Sequence, residues 1–140
     1  MDPFSITVGC VSLLTVVSQA INRTSDFAKS FRDARSEMIA IQLQLDQLKN
    51  ILDLLAHDSL SEVGPKDATT ADTGDHIKDQ INNCMDILDE LARLIDDCGN
   101  SRAKWALTGR ARAYNIEEFL KGCITRLQLT VNVQTWYVCL

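Results

Sequence analysis

From Phe27 to Leu55, the apolar residues Phe27, Phe31, Ala34, Met38, Ile41, Leu45, Leu48, Leu52 and Leu55 recur at alternating steps of four and three. That spacing lays a continuous apolar stripe along a helix. Ile39, Leu43, Ile51 and Leu54 widen it, while Lys29, Arg32, Asp33, Arg35, Glu37, Asp46, Lys49 and Asp53 occupy the other face. A helix with such a stripe is marginal alone in water and must bury it against partners.

The partners are written in the same chain. Ile6, Cys10, Leu13, Val17 and Ala20 form one further stripe, with Leu14 and Ile21 beside it. Ile77, Ile81, Cys84, Leu88, Leu91, Ile95 and Cys98 form a second, and Ala113, Ile116, Leu120, Cys123 and Leu127 a third. Four stripes of one period predict an all-α protein, a four- to five-helix bundle with a long hydrophobic N-terminal helix.

Punctuation sets the boundaries. Asp2-Pro3 reads as an N-cap followed by proline in the first turn. The phase of the second stripe runs back through Thr24 to Ala20, which allows one unbroken helix from Pro3 to His57. That helix would be about 80 Å long. Because this far exceeds usual helix lengths, a break at the polar cluster Asn22–Ser25 is expected. His57 to Gly74 reads as a disordered acidic loop, with Asp58, Glu62, Asp67 and Asp72 against Lys66. Asp75 then opens the third helix, and Gly99 is the expected C-cap. The last helix is expected over 112–131, with Trp105 to Leu107 as a helical turn plugging the bundle's end. The bundle would occupy 1–134, leaving 135–140 as a tail of uncertain structure.

With 140 residues, the chain has room for one domain. A hydrophobic fraction of 46% excludes a disordered tail. The net charge of -5 argues against a nucleic-acid partner. That charge is unevenly spread. Asp75, Asp79, Asp86, Asp89, Glu90, Asp96 and Asp97 outweigh Lys78 and Arg93 in the third helix. Beyond Gly99, Arg102, Lys104, Arg110, Arg112, Lys121 and Arg126 outweigh Glu117 and Glu118.

The five cysteines, Cys10, Cys84, Cys98, Cys123 and Cys139, are odd in number and show no C-x-x-C spacing. No basic segment precedes the apolar start, which argues against a secretory signal. The expectation is a cytoplasmic protein whose reduced thiols serve as small buried hydrophobes. Asp2 and Tyr137 stand where myristoylation would need glycine and prenylation cysteine.

No catalytic constellation is legible. His57 and His76 lack helical spacing to other ligands, so zinc with Cys84 or Cys98 is not expected. Gly9 is isolated and opens no phosphate loop. The pairs Asp89-Glu90 and Asp96-Asp97 read as solvated charges on a helix face. No nucleophile, base and orienting group can be named together, so the expectation is a non-enzyme without cofactor or metal. Arg102, Lys104, Arg110 and Arg112, near Trp105 and Tyr114, suit anionic lipid head groups better than nucleic acid.

The run from Pro3 to Asn22 carries no charge. As a helix it would span about 30 Å, the thickness of a bilayer's hydrocarbon core. It reads either as a membrane-engaging helix or as the bundle's most buried one.

Three segments in order carry a family resemblance. The opening Met1-Asp-Pro-Phe-Ser-Ile-Thr-Val-Gly-Cys-Val-Ser-Leu-Leu resembles that of the HeLo-like N-terminal domains of fungal STAND proteins. The stretch from Phe31 to Leu52 resembles their long helix. Lys104-Trp105-Ala106-Leu107, followed by Ile116-Glu-Glu-Phe-Leu, resembles their Trp-containing turn and last helix. The likeness spans about residues 1–134.

The resemblance implies an N-terminal signalling bundle of an NLR-like receptor acting in non-self recognition and regulated cell death. Such bundles oligomerise on activation and release the first helix to membrane. Phe4, Ile6, Val8, Val11, Leu13, Leu14 and Val17 would then match the inserting segment. The implied partners are further copies of the chain, anionic membrane lipids, and a STAND receptor or downstream effector. No nucleotide-binding region or amyloid signalling motif appears before Leu140, which departs from the full-length pattern. A second reading needs no membrane: an interaction module recruiting an effector through apolar surface at Ile39, Leu43, Ile51 and Leu54. Against it stands the simpler view that these four residues fill a wide core stripe.

Overall fold

The computed structural model describes residues 3–61 and 68–139, with side chains over 7–57 and 75–132. Four long helices make an all-α bundle, with no strand among the described residues. α1 is Pro3–Ser30, α2 is Arg35–Ser61 and α3 is Ala68–Cys98. α4 covers 102–139 as an α turn Arg102–Lys104, a π turn Trp105–Gly109 and a long α segment Arg110–Cys139.

The chain reverses later than the sequence suggests. Thr24, expected at a break, is fully buried inside α1. Its hydroxyl donates back to the carbonyls of Ala20 and Ile21, both at 2.9 Å. A threonine satisfied by its own helix takes a core position between Ala20 and Phe27 instead of capping a new helix. The break falls at Phe31, whose backbone is extended at φ -130 and ψ 95. The 3-10 turn Arg32–Ala34 then leads into α2. Phe27, assigned by its spacing to the second helix, therefore closes the first.

The expected loop from His57 to Gly74 is also shorter. α2 continues to Ser61 and α3 begins at Ala68, well before Asp75. What lies between, 62–67, is outside the described residues. α4 runs past 131 and past the expected domain end at 134, so the tail is helical to Cys139. Gly99 does follow α3, but no glycine among the described residues has positive φ. A Cβ there would stand 2.9 Å from the carbonyl oxygen of Ile95. Crowding, not a left-handed cap, accounts for glycine.

Each helix turns its stripe inward. Cys10, Leu13, Val17 and Ala20 of α1 meet Met38, Ile41, Leu45, Leu48, Leu52 and Leu55 of α2 in one buried core. Ile77, Ile81, Cys84, Leu88 and Leu91 come from α3, and Ala113, Ile116, Leu120, Cys123, Ile124 and Leu127 from α4. Burial of a leucine or isoleucine contributes about 1.5–3 kcal/mol. Phe31 and Ile95 are only partly buried, and Leu94 takes the inner position beside Ile95. An α-helix turns once per about 3.6 residues, so a stripe spaced near 3.5 drifts sideways along it.

α1 packs against α2 and α3, and α4 packs against the same two, giving the ring α1, α2, α4, α3. Ion pairs cross between the neighbours. Arg23 of α1 pairs with Asp96 of α3, and Arg110 of α4 pairs with Glu37 of α2 at 3.2 Å.

One end of the bundle is closed by aromatic rings. Phe27 and Phe31 stack with centroids 5.3 Å apart and planes 6° apart. Trp105 packs against both rings and is buried. Ser101 accepts from the Lys104 N–H at 3.2 Å, capping the α turn that leads into the indole. Leu107, in the π turn with Trp105, points to solvent.

Candidate functional site

The acidic α3 and basic α4 lie side by side, and Arg112 joins them. Its guanidinium donates to Glu90 at 3.1 Å and to Asp97 at 3.0 Å. Partial burial works against the charge, but the hydrogen bonds to Asp97 and Glu90 outweigh it and raise the arginine's pKa. The acidic pairs that stood out in the sequence are thus largely holding helices together: Glu90 and Asp97 on Arg112, and Asp96 on Arg23. Of the basic cluster, Arg110 and Arg112 are paired in this way, while Arg102 and Lys104 are exposed.

Below Arg112 the two helices leave a groove of about 520 Å³. Ile87, Ile116, Phe119 and Cys123 give it apolar walls, and Asp86, Glu90, Arg112 and Arg126 contribute charge. Phe119 is 65% exposed. Clefts between bundle helices with apolar walls and a few polar groups are common binding places. The opposite charges of the two segments signalled that α3 and α4 would pair. Nothing in the apolar spacing signalled a gap between them.

The four thiols with described side chains, Cys10, Cys84, Cys98 and Cys123, are all buried and free. Burial pushes the Cys10 thiol up to about 11. Cys84 of α3 and Cys123 of α4 lie in the same buried core and interact with each other. The hydrogen bond from Cys84 pulls the Cys123 thiol down to about 7, with Arg126 adding to the effect against burial. The same contact, together with burial, pushes Cys84 upward. This thiol pair escaped the sequence reading, which treated each cysteine singly.

The residues expected to insert into membrane have different fates. Leu13 and Val17 are buried core, and Leu14 is half-buried. Val8 and Val11 are exposed. The side chains of Phe4 and Ile6 lie outside the described ones. Among the described residues, no helix is long and apolar enough to cross a membrane.

The apolar residues flanking the α2 stripe divide as well. Ile51 is buried, whereas Ile39 and Leu43 are 47% and 58% exposed and Leu54 also faces solvent. His57 and His76 are both exposed. No group of three or more His, Cys, Asp or Glu that could hold a metal occurs among the described residues. No protein-family profile, curated protein or solved structure matches the chain.

Proposed function

We propose that this bundle is a non-enzymatic, intracellular signalling module that works by associating with further copies of itself, as the N-terminal domain of a fungal NLR-like receptor. The observation that carries the reading is the pair Ile39 and Leu43. They lie one turn apart on α2 and expose large side chains where a monomeric bundle would place charge. The order of the HeLo-like segments supports the receptor context, and the buried free thiols fit a reducing compartment.

Light scattering on the purified protein over a concentration series tests it, with circular dichroism as the check on folding. Association is expected in the wild type and lost in the double variant I39K/L43K, which keeps its helix content. A wild type that stays monomeric at every concentration, or a variant that associates equally well, would overturn the proposal.

A second reading rests on Val8 and Val11, exposed on the outer side of α1. On this reading α1, which packs against α2 and α3, leaves the bundle on activation and lays its apolar side on an anionic membrane. Dye release from anionic liposomes by artificially clustered protein is then expected, and V8K/V11K abolishes it. These positions are exposed, so the variant leaves the core intact. No release from well-folded clustered protein would sink the membrane reading.

A further inference from the structure

The ion pairs of Arg112 mark the register of α3 against α4, because one guanidinium reaches both Glu90 and Asp97. About three turns along α4 lies Cys123. Along α3, Cys84 lies about two turns back from Glu90 and between three and four turns back from Asp97. Both stand on inward stripes, Cys84 after Ile77 and Ile81, Cys123 after Ile116 and Leu120. Cys123 shares the wall of the α3–α4 groove with Asn83, the residue next to Cys84, and both cysteines belong to one core cluster, so the register sets the two thiols against each other. Arg126 lines the same groove. The groove gives a small oxidant a route toward the Cys123 sulfur, which lies buried at its wall.

We infer that Cys84 and Cys123 are an oxidisable pair: a hydroperoxide entering by the groove converts them to a disulfide that ties α3 to α4. Cys123 is the attacking sulfur. Arg126 and the donating Cys84 thiol favour its thiolate, the form that reacts. With hydrogen peroxide, the Cys123 thiolate takes one oxygen as the O–O bond breaks. The departing hydroxide gains a proton and leaves as water, and Cys123 becomes a sulfenic acid. The Cys84 sulfur then attacks the Cys123 sulfur. The S–O bond breaks, the hydroxyl leaves with the Cys84 proton as a second water, and the S–S bond forms. Two thiols lose two electrons, and one peroxide is reduced to two waters.

Tryptic mapping of peroxide-treated wild-type protein under non-reducing conditions tests this. Cys84 and Cys123 fall in separate peptides, 79–93 and 122–126. The expected product is these two peptides linked, in protein that remains a single chain by intact mass, with Cys10 and Cys98 still open to alkylation after unfolding. A thiol reductant restores both peptides. In Cys84→Ser, Cys123 is expected to stop at the sulfenic acid and be trapped by dimedone. In Cys123→Ser, Cys84 is expected to stay reduced. The inference is overturned if the wild-type map shows peptides 79–93 and 122–126 unlinked while other thiols oxidise. It is equally overturned if the linkage joins two chains. The wild-type map decides the matter even if a serine variant fails to fold.

Discussion

The indole N–H of Trp105 donates to the backbone carbonyl of Asp33 across 3.2 Å. This one bond ties the π turn at the head of α4 to the 3-10 turn at the head of α2. Phe27 and Phe31 hold the same indole, with ring centroids 6.1 and 6.3 Å away. The end of the bundle thus depends on a single side chain for both packing and hydrogen bonding. Trp105→Ala should lower stability by about 3–5 kcal/mol, the usual loss for a buried large aromatic. Trp105→Phe keeps much of the apolar contact but leaves the Asp33 carbonyl without its donor, at a cost of about 1–3 kcal/mol. Urea denaturation would order them wild type, Phe, Ala. A Phe variant as weak as Ala would mean that the hydrogen bond, not the packing, dominates.

Gly109 and Gly122 make a matched pair on the same helix. A Cβ at Gly109 would fall 2.6 Å from Trp105 Cε3 and 2.8 Å from Cys98 Sγ. Neither neighbour can retreat from a packed core, so Gly109→Ala should cost about 1–3 kcal/mol. At Gly122 the nearest atom is the Arg126 guanidinium at 3.9 Å. Gly122→Ala should therefore gain up to about 1 kcal/mol from helix propensity alone. Thermal unfolding of the two variants should move in opposite directions, and movement in the same direction would contradict the close approach at Gly109.

Thr24 tests why α1 does not break where its polar cluster suggests. Its hydroxyl bonds only to carbonyls of its own helix, which also accept the ordinary backbone bonds. Valine has the same shape and removes the donor without stranding those acceptors, so Thr24→Val should fall within about 1 kcal/mol of wild type. Thr24→Asp would bury a charge without a partner and should cost about 3 kcal/mol or more. If valine were as damaging as aspartate, the hydroxyl would hold a bond essential to the turn, and the continuous α1 would need another cause.

Periodicity carried most of the fold, because apolar spacing directly dictates which face of a helix is buried. Leu45, Leu48 and Leu52 could be placed on the core from spacing alone, and they are fully buried. Boundaries were harder for a physical reason. Asn22-Arg-Thr-Ser-Asp suits a cap or a helix interior equally, and the choice depends on whether Thr24 has a core to enter. The site was less legible still. That Ile51 is buried while Ile39 and Leu43 face water depends on where α1 and α4 lie around α2, which a one-dimensional pattern does not encode. The meeting of Cys84 and Cys123 depends on the register of α3 against α4. That register is marked by Arg112, whose partners lie 22 and 15 residues away.

Arg112 is accordingly the residue whose removal should loosen α3 from α4. Its side chain is 29% exposed, and its two carboxylate partners are more open than that. Half-solvated pairs of this kind are worth little singly, but two bonds from one planar guanidinium add geometric constraint. Arg112→Met keeps the apolar stem and should cost about 1 kcal/mol at low salt. Screening weakens the wild-type pairs, so the gap between wild type and variant should shrink at about 1 M salt, where the Debye length is about 3 Å. Arg112→Lys places a single ammonium where two carboxylates were bridged and should recover only part of the loss. Urea titrations at low and high salt provide the check. A cost that does not change with salt would show that Arg112 acts through its packed stem, and the register of the groove would then rest on the apolar stripes alone.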